Sequence, residues 1–255
     1  MAQLDSAIEN LIRWKKDLEN YDYIIRQYKT TDISTDLDFQ RKYTYFYKIR
    51  RNAEWRKKYY AFFEKSKYNS DINFEFILRS IFELTGRIEA SFASKLLATI
   101  KPEMPIWDSI VLSKLHIKPS QNPDQQERLK ETIAIYGSIC SWYNRFQLTD
   151  ENRDFISAFD AAFPDFTHFS RVKKIDFLIW GSKDSEMFDV GLLSNNITAQ
   201  KKELREQKHV ISDDEMPHAA QYALIEADNW FNIVLLINKS SKGFDQQICV
   251  LSMHR

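Results

Sequence analysis

The segment from Arg87 to Leu115 places an amphipathic helix directly before a proline-bounded turn and an aspartate, and this order restricts the fold most strongly. Apolar residues recur at helical spacing along its first half, which predicts one buried stripe. They are Ile88, Phe92, Ala93, Leu96, Leu97 and Ile100. Pro102 and Pro105 end the helix, because proline restricts the residue before it and lacks an amide hydrogen. Residues 109–112 then predict a second helix with Asp108 at its N-cap.

The same periodicity predicts further helices in the first 181 residues. Their expected ranges are 4–28, 39–67, 72–84, 123–146, 150–163 and 167–180. Asp71 is expected to cap the third of these helices, Pro123 to open the fourth and Gly181 to form the C-cap of the last. Only 5 glycines in 255 residues also favour a helix-rich protein with short connections.

The chain becomes more polar after Gly181, and we expect a smaller second domain there. Residues 182–229 are interpreted as one or two helices. Residues 231–238 and 247–253 are rich in strand-forming side chains and flank a turn at 239–243, which predicts a β-hairpin. The predicted fold is therefore mainly α, with a helical bundle at 1–181 and an α+β appendage at 182–255.

Composition excludes several classes of function. Neither a Walker-type loop nor a GxGxxG sequence is present, which argues against glycine-loop nucleotide binding, and GxSxG is also absent. The five histidines show no ligand spacing, so we expect no metal and no cofactor. Two well-separated cysteines and the lack of a long apolar run predict a reduced, cytoplasmic protein.

Positive charge is concentrated between Arg41 and Lys67, although the whole chain has a net charge of zero. This segment contains ten lysines and arginines and only two acids, Glu54 and Glu64, and it is dense in aromatic residues. Two interpretations stay open. Either the aromatic side chains form core and the cations a solvated face, or the cations neutralise phosphates while exposed aromatics stack on bases. The cations considered for DNA binding are Arg50, Arg51, Arg56, Lys57 and Lys58.

Residues 74–181 resemble the helix-hairpin-helix superfamily of DNA glycosylases, which remove a base from its deoxyribose. Gly86 matches the hairpin, residues 91–93 match the start of the following helix, and residues 105–108 match the Pro-x-Asp type of turn. The family hairpin usually carries two glycines, whereas this chain has one. The resemblance implies a degenerate helix-hairpin-helix within the helical domain.

The resemblance also implies roles for single residues. Asp108 would be the catalytic carboxylate that stabilises positive charge on the sugar or activates water; its alternative role is a plain helix cap. Ser91 stands where strand-cutting members have a lysine, which implies base removal alone. Lys95, one turn later, is a substitute for that lysine or else a surface or snorkelling side chain. Trp107 would line the base pocket or belong to the core, and Arg87 would meet a phosphate or be solvated.

Two functions follow as hypotheses. The first is a monofunctional glycosylase that acts on a flipped base in double-stranded DNA. The diverged hairpin suggests an unusual substrate, such as a modified base of bacteriophage DNA removed in antiviral defence. The second is a non-catalytic nucleic-acid- or protein-binding module on the same scaffold, with the terminal hairpin as an edge for assembly.

Overall fold

The computed structural model describes residues 2–182, 220–225 and 233–238. Backbone contacts divide the chain into two units, Met1–Phe188 and Asp189–Arg255. The described part of the first unit consists of α-helices and one 3-10 helix, and that of the second consists of two strands. The prediction of a mainly α protein is therefore confirmed for the described residues.

Ten α-helices lie within the described part of the first unit. They are α1 Ala2–Arg13, α2 Lys15–Gln27, α3 Leu37–Phe46, α4 Ala53–Ser66, α5 Phe74–Thr85, α6 Ala90–Ile100, α7 Ser109–Lys114, α8 Gln125–Phe146, α9 Asp150–Ala162 and α10 Arg171–Gly181. The 3-10 helix, Pro164–Phe166, separates α9 from α10.

The single helix expected over residues 4–28 is interrupted at Trp14, so that prediction is wrong. Trp14 has φ −104° and ψ 23°, outside the helical region. The two resulting helices make most of their contacts with different partners: α1 with α10 and α9, and α2 with α3. Tyr21 of α2 additionally packs against Phe177 of α10. A straight helix would present its apolar stripe to one partner only, and the sequence periodicity does not show this change of partner.

The single helix expected over residues 39–67 is also wrong, because residues 47–52 leave the helical conformation. Lys48 has a positive φ of 53°, which a side-chain-bearing residue rarely adopts. Asn52 then accepts the Trp55 backbone N–H at 2.9 Å and caps α4. Tyr47, just before Lys48, is buried in the loop.

The aromatic side chains of residues 41–67 lie mainly in the core, in agreement with the first of the two interpretations. Those buried are Tyr43, Phe46, Tyr47, Trp55, Tyr59, Tyr60 and Phe63. Tyr45 differs, since 53% of it is exposed. Most of the cations lie at the surface, so the second interpretation concerns Tyr45 and the cations rather than the whole aromatic set.

The hairpin between α5 and α6 is built from two different helix ends. Asn73, not Asp71 as predicted, caps α5 by accepting the Phe76 backbone N–H at 2.9 Å. Gly86 ends α5 in the left-handed conformation, with φ 69°, which glycine adopts without a steric penalty. Pro123 does not lie in the first turn of α8 as predicted, because α8 begins at Gln125 and Asp124 caps it. In both cases the side-chain acceptor nearest to the first turn supplies the cap.

Gly181 does not form the predicted left-handed C-cap, because it lies within α10 and Ser182 follows as the cap. Its absence of a side chain allows α1 to approach closely. A Cβ atom at Gly181 would lie 2.6 Å from the Ala7 carbonyl oxygen, and the Asn10 side chain donates to the Gly181 carbonyl at 2.9 Å. The glycine therefore serves the packing of α1 against α10.

The described part of the second unit is an antiparallel pair of strands, β1 Ala220–Ile225 and β2 Ile233–Asn238, in which Ala220 pairs with Asn238. A helix was expected over residues 220–225, and that prediction is wrong. The predicted strand at 247–253 lies outside the described residues. None of the described helices is both long and apolar enough to span a bilayer.

Candidate active site

The turn between α6 and α7 is held by hydrogen bonds from two helices. The Trp107 backbone N–H donates to the Ser94 hydroxyl of α6 at 2.8 Å. The Tyr136 hydroxyl of α8 donates to the Pro105 carbonyl oxygen at 2.7 Å. Both bonds are buried, and a buried polar group without its partner costs free energy, so alternative turn conformations are disfavoured. These bonds therefore hold Asp108 at the N-terminus of α7.

The Asp108 carboxylate accepts one hydrogen bond on each oxygen. Oδ1 accepts the Val111 backbone N–H at 2.8 Å, which confirms Asp108 as the N-cap of α7. Oδ2 accepts the indole N–H of Trp180, in α10, at 2.8 Å. The residue is half-buried, and an ionised carboxylate offers about four accepting positions. The carboxylate is thus oriented by the protein and still able to meet water or a substrate.

A buried ion pair lies next to Trp180 on the same helix. Lys173 Nζ is 2.8 Å from Asp176 Oδ2, and neither side chain is exposed. The Tyr143 hydroxyl donates to Asp176 Oδ1 at 2.7 Å. Burial lowers the pKa of Lys173, but the charge and hydrogen bond of Asp176, together with the nearby Tyr47 and Asp108, outweigh burial and leave that pKa raised. The resulting cation lies 5.6 Å from the centre of the Trp180 ring, within the range of a cation–π interaction.

Lys95 is buried in α6, so the alternative of a surface lysine is wrong. Its ammonium group donates to the Tyr47 carbonyl oxygen at 3.0 Å. Burial lowers the pKa of Lys95 to about 8, against the opposing effect of the Asp108 carboxylate. A pKa of about 8 leaves about a tenth of the amine neutral at pH 7. Lys95 is therefore partly neutral at pH 7, as a nucleophilic lysine must be, but it is buried rather than accessible to a substrate.

A cavity of about 510 Å³ adjoins the same turn, and we call it the arginine cavity. Trp107 forms part of its lining. Three arginines from separate parts of the chain also line it: Arg51 precedes α4, Arg87 lies in the α5–α6 hairpin and Arg128 belongs to α8. Glu89 supplies the one acid in the lining, so three guanidinium groups against one carboxylate leave a net charge of +2. The volume suits a small ligand or ligand group, and the charge favours an anion.

Glu89 orients two of these arginines. Arg51 donates through Nε and Nη2 to the two Glu89 oxygens at 2.8 and 2.9 Å. Arg87 Nε donates to Oε1 of the same carboxylate at 3.1 Å. Glu89 is only 7% exposed, and a bidentate pair has a defined geometry. The Arg51 guanidinium group is therefore positioned before any ligand arrives, whereas Arg87 has one bond and a side chain that is 61% exposed.

Five residues singled out from the sequence come together around the arginine cavity. They are Gly86, Arg87, Ser91, Trp107 and Arg51. The hairpin, the start of α6, the turn and the basic segment thus meet at one place, although up to 56 positions separate them in the chain. The resemblance placed Gly86, Ser91 and Trp107 in one site, and the basic segment was expected on the same side of the molecule, but the sequence alone did not give Arg51 as the cation that reaches this site.

The remaining candidates lie outside the cavity lining. Asp108 immediately follows Trp107 but does not itself line the cavity, and neither does Lys95. Arg56 lines a separate groove between α3 and α4. The other three cations of the basic segment, Arg50, Lys57 and Lys58, are exposed.

Sequence reasoning missed three residues of this region: Glu89, Arg128 and Trp180. The position of Glu89 two residues after Arg87 was the one available signal, because opposite charges that close in sequence often pair. Arg128 has no local signal, since it reaches the cavity only through the packing of α8. Trp180 ends an apolar run that predicts core, and its polar indole N–H gives no indication of a partner 72 residues away.

Comparison of the chain with protein-family models, with curated proteins and with solved structures finds no match. Within the described residues, no group of three His, Cys, Asp or Glu side chains is placed to hold a metal ion. The function must therefore be inferred from the geometry of the site.

Proposed function

We propose that the helical unit is a monofunctional DNA glycosylase, in which Asp108 supports hydrolysis of the bond between an extruded base and its deoxyribose. One observation carries the proposal. An oriented, partly exposed carboxylate directly follows Trp107, which lines a cavity together with Arg51, Arg87 and Arg128. Base excision needs an acid beside the sugar and cations on the neighbouring phosphates, and this arrangement offers both.

Asp108 acts on the charge that develops during the reaction. When the C1′–N bond breaks, the sugar approaches an oxocarbenium ion, and a carboxylate beside it lowers the energy of that state. Water adds its oxygen to C1′, and its proton goes to the departing base, so the products are a free base and an abasic site. The donors from Val111 and Trp180 keep the carboxylate in one orientation, which reduces the reorganisation needed on reaching the transition state.

The arginine cavity takes the DNA backbone in this proposal. Arg51 is held by Glu89 through two bonds, so its remaining N–H groups are available to phosphate oxygens with little further loss of side-chain freedom. Arg87, bonded once to the same carboxylate, adds a second cation. Gly86 allows the chain to turn between α5 and α6, and we assign these two helices to a degenerate helix-hairpin-helix. The exposed cations of the basic segment would extend the contact along the backbone.

Strand cleavage is not part of the proposed activity. Ser91 lines the cavity at the position where strand-cutting members of the superfamily have a lysine, and a hydroxyl cannot form a Schiff base. Lys95 has a lowered pKa, but its ammonium group is bonded to the Tyr47 carbonyl and does not line the cavity. The expected product is therefore an abasic site in an intact strand.

A second candidate is a non-catalytic nucleic-acid-binding module, and a specific observation favours it. Asp108 lies outside the cavity lining, and each of its oxygens already accepts a hydrogen bond. A carboxylate in that position can serve as a helix cap and a link to α10 without any chemical role. The arginine cavity would then bind phosphate alone.

Base release by Asp108→Asn separates the two candidates. Asparagine caps a helix about as well as aspartate, so its one side-chain oxygen can still accept the Val111 N–H. The variant loses the negative charge and, with it, the acceptor for the Trp180 N–H. The matched control is Asp124→Asn, because Asp124 caps α8 in the same way, with the Glu127 N–H at 2.8 Å, and is exposed outside the cavity. The assay measures free base and alkali-labile sites after incubation with duplexes that contain normal or modified bases.

We expect Asp108→Asn to reduce base release by about 10²-fold or more, the loss typical of removing one electrostatic contact to a transition state. Asp124→Asn should retain the wild-type rate. Equal rates for wild type and Asp108→Asn would exclude Asp108 as the catalytic acid. Salt-dependent DNA binding without base release from any duplex would favour the non-catalytic module.

A further inference from the structure

A groove of about 660 Å³ runs between α3 and α4, separate from the arginine cavity, and we call it the α3–α4 groove. From α3 it is lined by Leu37, Gln40, Arg41, Thr44 and Tyr45, and from α4 by Arg56 and Tyr60. The α3 positions recur at helical spacing and so share one face. From Leu37 to Tyr45 the helix rises about 12 Å, at 1.5 Å per residue. The groove is therefore elongated along α3.

The floor of the groove is fixed by hydrogen bonds. Tyr60 is buried, and its hydroxyl lies 2.7 Å from the Thr44 hydroxyl and donates to the Gln40 carbonyl at 3.1 Å. These contacts join α3 to α4 directly beneath the opening. They fix the spacing of the two helices that leaves the groove between them.

Tyr45 is the aromatic wall of the groove, and it differs from its neighbours in the segment by being exposed. The ammonium group of Lys48 lies 4.1 Å from the centre of its ring. A half-exposed aromatic ring beside cations is the combination on which single-stranded nucleic acids stack their bases.

The charge of the groove suits a phosphate chain. Its lining has two guanidinium groups and no acid. Arg41 pairs with Asp38 at 3.0 Å, but both side chains are more than half exposed, so water and salt weaken that pair. Arg56 makes no ion pair with any residue that the structure describes. Both cations are therefore able to meet phosphate oxygens.

We infer that the α3–α4 groove binds a single strand of nucleic acid, with a base stacked on Tyr45 and phosphates at Arg41 and Arg56. A length of about 12 Å accommodates about three stacked nucleotides at 3.4 Å each. A duplex does not fit this description, because stacking between neighbouring base pairs covers the faces of its bases. The inference rests on the proposed function for its class of partner, nucleic acid, and does not depend on base excision.

Fluorescence anisotropy with a labelled oligothymidylate of about ten nucleotides tests the inference, using the full chain. Tyr45→Ala should weaken binding by about 5- to 150-fold, the equivalent of one base stack, while Tyr45→Phe should retain it. Arg56→Gln should weaken binding and reduce the slope of log affinity against log salt by about 0.7. Tyr68→Ala is the matched control, because Tyr68 is 70% exposed and lies under Lys67 but is outside the groove. It should bind as the wild type does.

A second oligonucleotide of the same length, without bases, shows whether stacking is the cause. The wild type should prefer the strand with bases, and Tyr45→Ala should lose that preference. Equal binding by the wild type and Tyr45→Ala, or displacement of the strand by polyglutamate at the same concentration of charge, would overturn the inference. Asp108→Asn should bind the single strand normally. Strand binding that is lost in Tyr45→Ala, in a protein that releases no base from any duplex, supports the groove and removes only the glycosylase proposal.

Discussion

Replacing Lys95 by methionine tests the electrostatics of the candidate site without any knowledge of the substrate. Methionine keeps an unbranched side chain of similar reach and removes the amine. Lys95 is 8% exposed, so its ionisation is coupled to folding and is little screened by solvent. The variant therefore measures the free-energy cost of burying the ammonium group of Lys95.

The expected magnitude follows from the two pKa values. The folded protein releases the Lys95 proton near pH 8, whereas the unfolded chain retains it to about pH 10.5. Between these values the unfolded chain binds more protons, so the free energy of unfolding rises with pH across this window. The difference of about 2.5 in pKa corresponds to about 3.4 kcal/mol, of which about 2 kcal/mol is gained by pH 9.5. Lys95→Met lacks this gain.

Urea denaturation at pH 7 and at pH 9.5 measures the effect. The stability of the wild type relative to Lys95→Met should increase by about 2 kcal/mol between the two conditions. Leu96→Met is the control, because it also places methionine in the buried part of α6 but removes no titrating group. Its difference from the wild type should not change with pH. A constant difference for Lys95→Met as well would refute the lowered pKa and the argument that Lys95 is partly neutral at pH 7.

Three further predictions concern α10. Gly181→Ala should destabilise the protein by about 1–3 kcal/mol in urea denaturation, because the new Cβ meets the α1 backbone at 2.6 Å; an unchanged midpoint would mean that α1 does not pack there. Trp180→Phe removes the donor to Asp108 and should lower kcat for base release by about 10- to 150-fold with little change in KM, as expected for a hydrogen bond to a charged group. A rise in KM alone would contradict this positioning role. Lys173→Met should destabilise by about 3–5 kcal/mol by leaving Asp176 unpaired, whereas the double variant Lys173→Met/Asp176→Leu should be close to neutral; thermal unfolding that shows equal loss in both would contradict the pairing.

The turn that carries Asp108 could be predicted from the sequence because its determinants are local. Proline ends α6, and an aspartate before an apolar run caps α7, so both signals lie within a few residues of the structure they specify. The breaks at Trp14 and at residues 47–52 could not be predicted in this way. Neither contains proline or glycine, and the apolar pattern continues through both. The first break separates α1, which packs mainly on α9 and α10, from α2, which packs mainly on α3. The second break allows α4 to pack against α3, where Thr44 meets Tyr60. Both are tertiary effects.

The arginine cavity shows the same division between local and tertiary information. Arg87 and Ser91 were singled out because a local motif includes them. Arg128 was missed because it shares nothing in sequence with the hairpin and reaches the cavity through the course of α8. The pairing of Arg51 with Glu89 spans 38 positions, and it turns two residues of ordinary composition into an oriented group.

The contacts of Asp108 bear on whether it is more than a helix cap. Capping α7 requires one hydrogen bond, and the Val111 backbone supplies it. The second bond comes from Trp180 on another helix, whose ring lies near the Lys173 cation of a fully buried ion pair. A buried ion pair contributes little to stability compared with apolar packing, so stability alone does not account for charges at that place. The ion pair has a role at this place if the Lys173 cation fixes the Trp180 indole. The indole in turn fixes the direction of the free lone pairs on Asp108. A simple cap has no need of that direction, whereas a carboxylate that must face a developing charge does.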